Sequence, residues 1–155
     1  MEKISSSVNQ TLKLGKKIAG NLRAGDIILL SGSLGAGKTV LAKGIAQGLG
    51  INKNDVLSPT FVLLRVYQGK YLLQHFDFYR IKSPEDILAL GLQEYLYSDA
   101  ITVIEWPERL KFLLPKEFLK IKLSIKAKNQ RYFKFMAKGA RYKKLLEKIH
   151  ENFRN

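Results

Sequence analysis

The stretch Gly32-Ser33-Leu34-Gly35-Ala36-Gly37-Lys38-Thr39 (GSLGAGKT) decides the fold of this chain of 155 residues. It matches the pattern G-x-x-x-x-G-K-[ST], in which successive backbone N–H groups at a helix N-terminus surround a phosphate group. The pattern is informative only between a strand and a helix. The apolar run Asp26–Leu30 before it is typical of a strand buried on both faces, and a helical pattern covers Lys38–Leu49 after it. The stretch therefore predicts an α/β fold with a phosphate-binding loop.

The hydrophobic pattern predicts further helices and strands on both sides of this unit. A helical pattern over about Leu12–Leu22 ends by Gly25. Further along, two strand-like runs flank a turn and predict a hairpin, an N-cap serine followed by proline starts a short helix, and another apolar run is typical of a buried strand. These segments are, in order, Phe61–Tyr67 with Tyr71–Phe78, Ser83 with Ile87–Leu90, and Ala100–Trp106.

The tail, residues 118–155, alternates apolar and basic residues. Along Phe118–Ala127, leucines and isoleucines alternate with lysines and a serine, which is the period of a half-exposed strand. Phe133 and Phe135 continue the pattern on a partner strand, and residues 142–153 have one apolar helical face. No repeat or linker interrupts the chain. We therefore predict a single α/β domain over residues 1–155, with the tail as part of it.

The positive charge of the chain is concentrated after residue 106. The net charge is +14, of which residues 107–155 contribute +11 and residues 1–106 only +3. Such basicity favours a polyanion such as RNA, or an acidic protein, although amphipathic strands alone also explain it. The chain has no cysteine, which excludes a disulfide framework and thiolate zinc sites. Its first thirty residues contain no signal-peptide core or membrane span, so we expect a soluble cytoplasmic protein.

Two carboxylates complete the predicted phosphate site. Lys38 is expected to reach the β- and γ-phosphates, and the Thr39 hydroxyl to ligate Mg²⁺. Nucleotide hydrolysis also needs acids that hold the metal and orient water, and Asp77 and Glu105 both end apolar strand-like runs. Glu105 is the better metal-side candidate because it ends a central-strand run. Asp77 would then orient water or the γ-phosphate, and the two roles can be exchanged.

One apparent nucleotide motif is rejected on its position. Asn52-Lys53-Asn54-Asp55 spells NKxD, the guanine-reading motif of GTPases. In a GTPase this motif follows a late buried strand, beyond the metal-binding acid. Here it precedes both candidate acids and lies in a polar turn, so we interpret it as a loop.

Four motifs in a fixed order identify a family. GSLGAGKT is followed by Ser58-Pro59-Thr60-Phe61, then by His75-Phe76-Asp77-Phe78-Tyr79-Arg80, and then by Glu105-Trp106-Pro107. From about Thr11 to Gly139 the chain resembles the TsaE (YjeE) family of bacterial P-loop ATPases. The resemblance implies a P-loop NTPase-like fold, with a mixed sheet flanked by helices, and an ATPase that works with the proteins TsaB and TsaD. In that family, TsaD transfers the threonylcarbamoyl group to adenosine 37 of tRNAs that read ANN codons.

The resemblance also implies roles for individual residues. Lys38, Asp77 and Glu105 are the implied catalytic residues, and Thr39 and Glu105 the implied Mg²⁺ ligands. Ser58, Pro59 and Thr60 correspond to a switch-like loop near the γ-phosphate. Val40 replaces a second threonine that the family often has. The residues implied to bind ATP are Thr11 near the base, Trp106 beside the nucleotide, and Leu34, Gly35, Ala36, Gly37, Lys38, Thr39 and Val40 in the loop.

Two side chains near Asp77 have more than one interpretation. His75 is expected to form a structural hydrogen bond, since phosphoryl transfer needs positioned charge more than a general base. Arg80 either stabilises transition-state charge or forms a salt bridge that holds the hairpin. Two other functions also fit a P-loop chain of this size: a small-molecule kinase, and an RNA-binding module with a regulatory nucleotide site.

Overall fold

The computed structural model describes residues 1–154, which alternate strands and helices along the chain. In chain order, the elements are β1 (Glu2–Ser5), α1 (Val8–Ala19), β2 (Ile27–Ser31), α2 (Lys38–Gly48), β3 (Leu64–Gln68), β4 (Leu72–Asp77), α3 (Pro84–Ala89), α4 (Leu92–Leu96), β5 (Ile101–Glu105), a 3-10 helix (Pro107–Leu113), β6 (Phe118–Ala127), β7 (Gln130–Lys138) and α5 (Ala140–Asn152). None of the helices in these residues has the length and apolar content needed to span a bilayer.

All seven strands belong to one mixed sheet, in the order β1-β7-β6-β2-β5-β4-β3. The central pairs are parallel: β2 pairs with β5 and β6, and β4 pairs with β5. The outer pairs are antiparallel. The predicted α/β fold with a mixed sheet is therefore confirmed. Because Leu30 and Asp77 both pair with Glu105, the carboxyl ends of three parallel strands meet at one edge of the sheet.

The two faces of the sheet are covered differently. The first face packs against α1, α2 and α5, and the second face against α3, α4 and the 3-10 helix. On β2, Ile28 and Leu30 point to the first face, and Ile27 and Leu29 to the second. The five residues of β2 are all buried, as the apolar run predicted. The helices on the second face cover only the half of the sheet around β2, β4 and β5.

Helices α1 and α2 pack closely because glycines face each other. A Cβ atom on Gly15 would lie 2.6 Å from the backbone carbon of Gly44, and one on Gly44 would lie 2.5 Å from the Leu12 carbonyl oxygen. Both distances are shorter than any van der Waals contact. The neighbouring atoms are backbone, so a side-chain rotation cannot relieve the overlap. The two glycines therefore allow α1 to lie close against α2, the helix that follows the phosphate loop.

We expect Gly15→Ala and Gly44→Ala each to lower the free energy of unfolding by about 1–3 kcal/mol, the usual cost of overpacking. The measurement is the urea midpoint at constant m-value. Gly20→Ala is the matched control, because its nearest neighbour would be 3.7 Å away and its φ of −61° suits any residue. A Gly44→Ala midpoint equal to that of Gly20→Ala would contradict this packing.

Three local predictions differ from the structure. Helix α1 ends at Ala19 and is capped by Gly20, rather than continuing toward Gly25. The strand predicted from Phe61 begins only at Leu64, because the Val62 and Leu63 N–H groups both donate to the Pro59 carbonyl and form a turn. Ser83 does occupy the N-cap of α3, but its side chain makes no capping hydrogen bond.

Candidate nucleotide-binding site

The phosphate loop connects β2 to α2 at the carboxyl edge of the sheet. Its first residue, Gly32, cannot carry a side chain, because a Cβ atom there would collide with the Leu123 carbonyl oxygen of β6. Gly37 is the N-cap of α2 and has a left-handed φ of +101°, which glycine adopts without strain. The Leu41 N–H donates to the Gly37 carbonyl and starts the helix. The N-terminus of α2 therefore points its free N–H groups at the loop, as phosphate binding requires.

The Lys38 side chain folds back over the loop. Its ammonium group donates to the carbonyl oxygens of Gly32 (2.7 Å) and Ser33 (2.8 Å) and lies 4.3 Å from the centre of the Trp106 ring. Only 5% of Lys38 is exposed. This burial lowers the pKa of the lysine from its ordinary value, while the Glu105 and Asp77 carboxylates oppose the shift. The two carboxylates therefore favour the charged form of the buried lysine.

Glu105 lies between a hydroxyl and an imidazole. Thr39 Oγ1 donates to Glu105 Oε1 at 2.9 Å, and His75 Nε2 lies 2.8 Å from the same oxygen. Since a carboxylate only accepts, the imidazole carries its hydrogen on Nε2. All of His75 is buried, and its Nδ1 atom has no hydrogen-bond partner within residues 1–154. His75 thus makes the structural hydrogen bond expected of it, and that bond fixes the Glu105 carboxylate toward Thr39.

Asp77 connects the sheet edge to the switch-like loop. Its Oδ2 atom accepts from Thr60 Oγ1 at 2.6 Å, and its Oδ1 atom accepts from the Tyr79 N–H at 2.9 Å. The Thr60 hydroxyl also lies 2.7 Å from Ser58 Oγ. Pro59, between these two residues, is buried and accepts the hydrogen bonds of the following turn. The position of the loop and the orientation of the Asp77 carboxylate are therefore linked.

Trp106 forms one wall of the site. It follows β5 in a left-handed conformation with φ of +59°, which is uncommon for a bulky residue. Its ring is 4.9 Å from that of Tyr79, measured between centroids. The Lys38 ammonium and the Tyr79 ring therefore contact the same indole, so a ligand that attracts Lys38 would change the packing of this wall.

Two adjoining cavities run along the phosphate loop. The first has a volume of about 370 Å³ and the second about 320 Å³, and both are lined by Gly35, Gly37 and Val40. The first also contains Leu34, Lys38, Thr39, Ser58, Thr60, Asp77, Tyr79, Glu105 and Trp106. The second also contains Ser6, Ser7, Val8, Thr11, Lys128, Asn129 and Arg131. The first cavity is polar and charged, as phosphates require, and the second has space for a base.

Comparison with known proteins identifies the family. The model of the family described as threonylcarbamoyl adenosine biosynthesis protein TsaE matches residues 5–133. The chain belongs to the TsaE family. The tRNA threonylcarbamoyladenosine biosynthesis protein TsaE of Treponema pallidum is 41% identical over 131 residues, which are 84% of this chain and 96% of that protein. The TsaE protein of Bacillus subtilis is 37% identical over 149 residues, 94% of this chain and 92% of its own.

The crystal structure of Bacillus subtilis YdiB has the same fold. It superposes with a TM-score of 0.84 and 30% sequence identity, and the match covers 99% of this chain and 95% of that one. The resemblance to the TsaE family that the four motifs predicted is therefore confirmed, and the chain is a member of a family of tRNA threonylcarbamoyladenosine biosynthesis proteins.

The TsaE fold gathers most of the predicted site residues around the loop. Ala36 and Pro59 are the exceptions, since both are buried and neither lines the two cavities. Thr11 lines the second cavity, where its hydroxyl lies 2.8 Å from Ser5 Oγ.

Arg80 forms no salt bridge within residues 1–154, and its guanidinium lies 4.1 Å from the centre of the Phe61 ring. The salt-bridge interpretation of Arg80 is therefore wrong.

The hairpin between β6 and β7 contributes residues that the sequence did not predict. Lys128, Asn129 and Arg131 line the second cavity opposite Thr11, and an Arg131 guanidinium nitrogen lies 3.4 Å from the Gly35 carbonyl oxygen. No motif spacing connects residues 128–131 to the loop. Their position depends on β6 lying parallel beside β2, which only the sheet order reveals.

The donor atoms of this TsaE site suit Mg²⁺. Thr39 and Glu105 present a hydroxyl and a carboxylate oxygen 2.9 Å apart, and Mg²⁺ prefers hard oxygen ligands. One or two protein oxygens together with phosphate oxygens and water are the usual magnesium set in phosphoryl-transfer sites. These two residues would hold the ion, and His75 would orient the carboxylate from behind.

Proposed function

We propose that this TsaE family member is a Mg²⁺-dependent ATP hydrolase that acts on a TsaB–TsaD complex during threonylcarbamoyladenosine modification of tRNA. In this proposal the chain itself does not transfer the threonylcarbamoyl group. The observation that carries it is the contact of Thr39 with Glu105 at 2.9 Å, directly beside the buried Lys38 of a phosphate loop. A phosphate-binding lysine, a metal-binding hydroxyl and a metal-binding carboxylate, which phosphoryl transfer from ATP uses, are then available at one edge of the sheet.

The loop residues bind the phosphates in this mechanism. Lys38 exchanges its bonds to the Gly32 and Ser33 carbonyls for bonds to the β- and γ-phosphate oxygens, where its charge stabilises the transition state. Thr39 and Glu105 would hold Mg²⁺, and the ion would supply positive charge that neutralises the phosphates. The N–H groups at the start of α2 add to this field because they point at the same phosphates.

Asp77 orients the attacking water. Each of its two oxygens accepts one hydrogen bond, from Thr60 and from the Tyr79 N–H, so the carboxylate is fixed but retains free lone pairs. A fixed carboxylate at the γ-phosphate end of the cleft can accept a hydrogen bond from water and align it for in-line attack. This assignment places Glu105 on the metal and Asp77 on the water.

The switch-like loop supports a partner-dependent reaction. On its two sides the chain presents Leu57, which is 51% exposed, and Phe61 and Val62, which are 78% and 51% exposed. Apolar side chains grouped on the surface are typical of protein-binding sites. Because Thr60 bonds Asp77, a partner that binds these side chains would shift the carboxylate that orients water. TsaB and TsaD are the proposed partners.

The test is phosphate release from ATP by the purified protein, with no acceptor present, alone and with TsaB, TsaD and unmodified tRNA. We expect release that requires Mg²⁺ and increases when the partners are added. A small-molecule kinase would release little phosphate without its acceptor. Absence of Mg²⁺-dependent phosphate release under both conditions would contradict the proposal.

We expect Thr39→Val to raise the Mg²⁺ concentration for half-maximal hydrolysis by about 10–100-fold, the usual cost of weakening a metal site. The valine keeps the shape of the side chain but removes the hydroxyl that contacts Glu105. Thr39→Ser is the matched control and should keep a Mg²⁺ requirement close to that of the wild type. Equal Mg²⁺ dependence of the two variants would show that this hydroxyl does not ligate the ion.

A further inference from the structure

Within residues 1–154, no helix covers the half of the second sheet face formed by β6 and β7. Along β6, Leu119, Ile121 and Leu123 point into the core on the first face, so the residues between them point to the second face. The same alternation on β7 places Phe133 and Phe135 in the core. We call the opposite side the lysine face, and its basic residues are Lys120, Lys122, Lys134 and Lys138.

The lysine face holds positive charge that forms no salt bridge within residues 1–154. Lys122 and Lys134 are exposed and lie directly opposite each other in the strand register. Like charges in this arrangement destabilise a sheet. Within residues 1–154, no carboxylate lies within 4 Å of any of the four ammonium groups. Glu2 of β1 is opposite Lys134 but forms no salt bridge with it. The Lys122–Lys134 pair therefore does not itself stabilise the sheet.

The composition of the lysine face favours nucleic acid over protein. Cores of protein–protein interfaces are depleted of lysine, whereas lysine contacts to phosphate groups dominate binding to nucleic acid backbones. Lys120 and Lys122 are two residues apart on one strand, about 6.7 Å along it, and Lys134 extends the array to the next strand. This regular array suits the repeated phosphates of an RNA backbone.

The lysine face also adjoins the nucleotide site. Lys122 pairs in register with Ser31, the residue immediately before Gly32 of the phosphate loop. Gly32 in turn packs against the Leu123 carbonyl of β6. A backbone bound along β6 would therefore end beside the nucleotide site, without covering the switch-like loop at the opposite side of the sheet.

We propose that the lysine face binds the phosphate backbone of tRNA. The choice of tRNA uses the family to which the chain belongs, and the proposal does not require ATP hydrolysis. The contact is to phosphates and carries no base readout, because lysine ammonium groups act as point charges. Recognition of a particular tRNA would come from other components.

The experiment compares two triple variants of the full chain. Lys120→Gln, Lys122→Gln and Lys134→Gln remove three charges from the lysine face. Lys143→Gln, Lys144→Gln and Lys148→Gln remove three exposed charges from α5, which covers the other face, and serve as the matched control. Binding of a fluorescent unmodified tRNA transcript is measured by anisotropy between about 50 and 200 mM salt, the range in which phosphate contacts weaken strongly.

We expect the lysine-face variant to bind tRNA at least about tenfold more weakly at the lowest salt. Its slope of log affinity against log salt should fall in magnitude by about 2–3, close to one unit per lost contact. The α5 variant should remain close to wild type. Equal losses of affinity in both triple variants would attribute binding to the overall charge of +14 and overturn the proposal. Unchanged affinity of the lysine-face variant, or no tRNA binding by the wild type, would also overturn it.

Two further measurements separate folding and other polyanions from tRNA binding. Lys122→Glu should weaken tRNA binding while keeping or raising the thermal midpoint, because it places opposite charges in the register with Lys134. Polyglutamate is the acidic-protein probe, and an equal or larger loss of polyglutamate binding by the lysine-face variant would assign the face to an acidic protein instead. ATP hydrolysis is measured separately. If the wild-type protein does not hydrolyse ATP but still binds tRNA through this face, only the proposed function is contradicted.

Discussion

Lys38→Ala is expected to lower ATP hydrolysis by about 10²–10³-fold, the usual effect of removing one preorganised group that stabilises developing charge. In a reconstitution with TsaB and TsaD, the same variant should give a yield of threonylcarbamoyl-modified tRNA no higher than a reaction without this chain. The physical reason is that Lys38 is 5% exposed and held at the loop by the Gly32 and Ser33 carbonyls. Lys38 is the one cationic side chain that lines the first cavity among the described residues 1–154.

Lys43→Ala is the control for this result. Lys43 lies on the same helix, carries the same charge and does not line either cavity beside the loop. It should keep both ATP hydrolysis and modified-tRNA yield near wild type. If Lys38→Ala supports a normal yield of modified tRNA while hydrolysis is lost, ATP turnover is not needed for the modification. If hydrolysis itself is retained, the assigned role of Lys38 is wrong.

The parts of the fold that the sequence predicts well are those in which local pattern and burial agree. The Asp26–Leu30 run becomes β2 with every residue buried, and the alternating Phe118–Ala127 run becomes β6. β1 was not predicted, because Glu2–Ser5 is too short and polar to show a period. It exists because β7 offers a free edge with which Lys3 and Ile4 pair. Tertiary pairing, rather than local propensity, produces that strand.

The switch-like loop shows a second limit. Phe61 and Val62 have strand-like residue types, yet they lie in a turn that the Pro59 carbonyl closes. Leu63 has a left-handed φ of +69°, which no apolar pattern indicates. The sequence pattern predicts a strand here because apolar residues are usually buried, whereas Phe61 and Val62 are exposed.

The candidate site is predictable where residues are adjacent in a motif or end neighbouring strands. Asp77 and Glu105 met this condition, and the structure pairs them in register on β4 and β5. Their different surroundings were not predictable. The Glu105 carboxylate contacts Thr39 and His75, whereas the Asp77 carboxylate contacts Thr60 and the Tyr79 N–H. Side-chain contacts between distant segments decide which acid is near the hydroxyl, and sequence spacing contains no record of them.

The sheet order also decides where the basic residues of the tail lie. The tail alternates lysine with apolar residues, so sequence alone is equally consistent with a solvated face and with a polyanion site. The pairing of β6 with β7 brings Lys122 and Lys134 opposite each other, and helices α1, α2 and α5 lie on the other side of the sheet. The pairing of Lys122 with Ser31, beside the phosphate loop, distinguishes the lysine face from the basic residues of α5.

Asp77→Asn is expected to lower the turnover number for ATP by about 10²-fold while leaving the affinity for ATP nearly unchanged. The amide can still accept the hydrogen bond from Thr60, but it lacks the charge that orients water beside the γ-phosphate. Hydrolysis by single turnover and equilibrium binding of a fluorescent ATP analogue measure the two quantities. Asp99→Asn, at an exposed acid outside both cavities, is the control and should change neither.

Comparison with Glu105→Gln makes this prediction specific to the assigned roles. If Glu105 holds the metal, its glutamine variant should raise the Mg²⁺ requirement as well as slow turnover, whereas Asp77→Asn should slow turnover at every Mg²⁺ concentration alike. The opposite pattern would exchange the two roles. Thr60→Val should fall between wild type and Asp77→Asn, since it removes only the bond that orients the Asp77 carboxylate. If binding of TsaB and TsaD restores turnover to Thr60→Val but not to Asp77→Asn, the partners act by positioning this carboxylate.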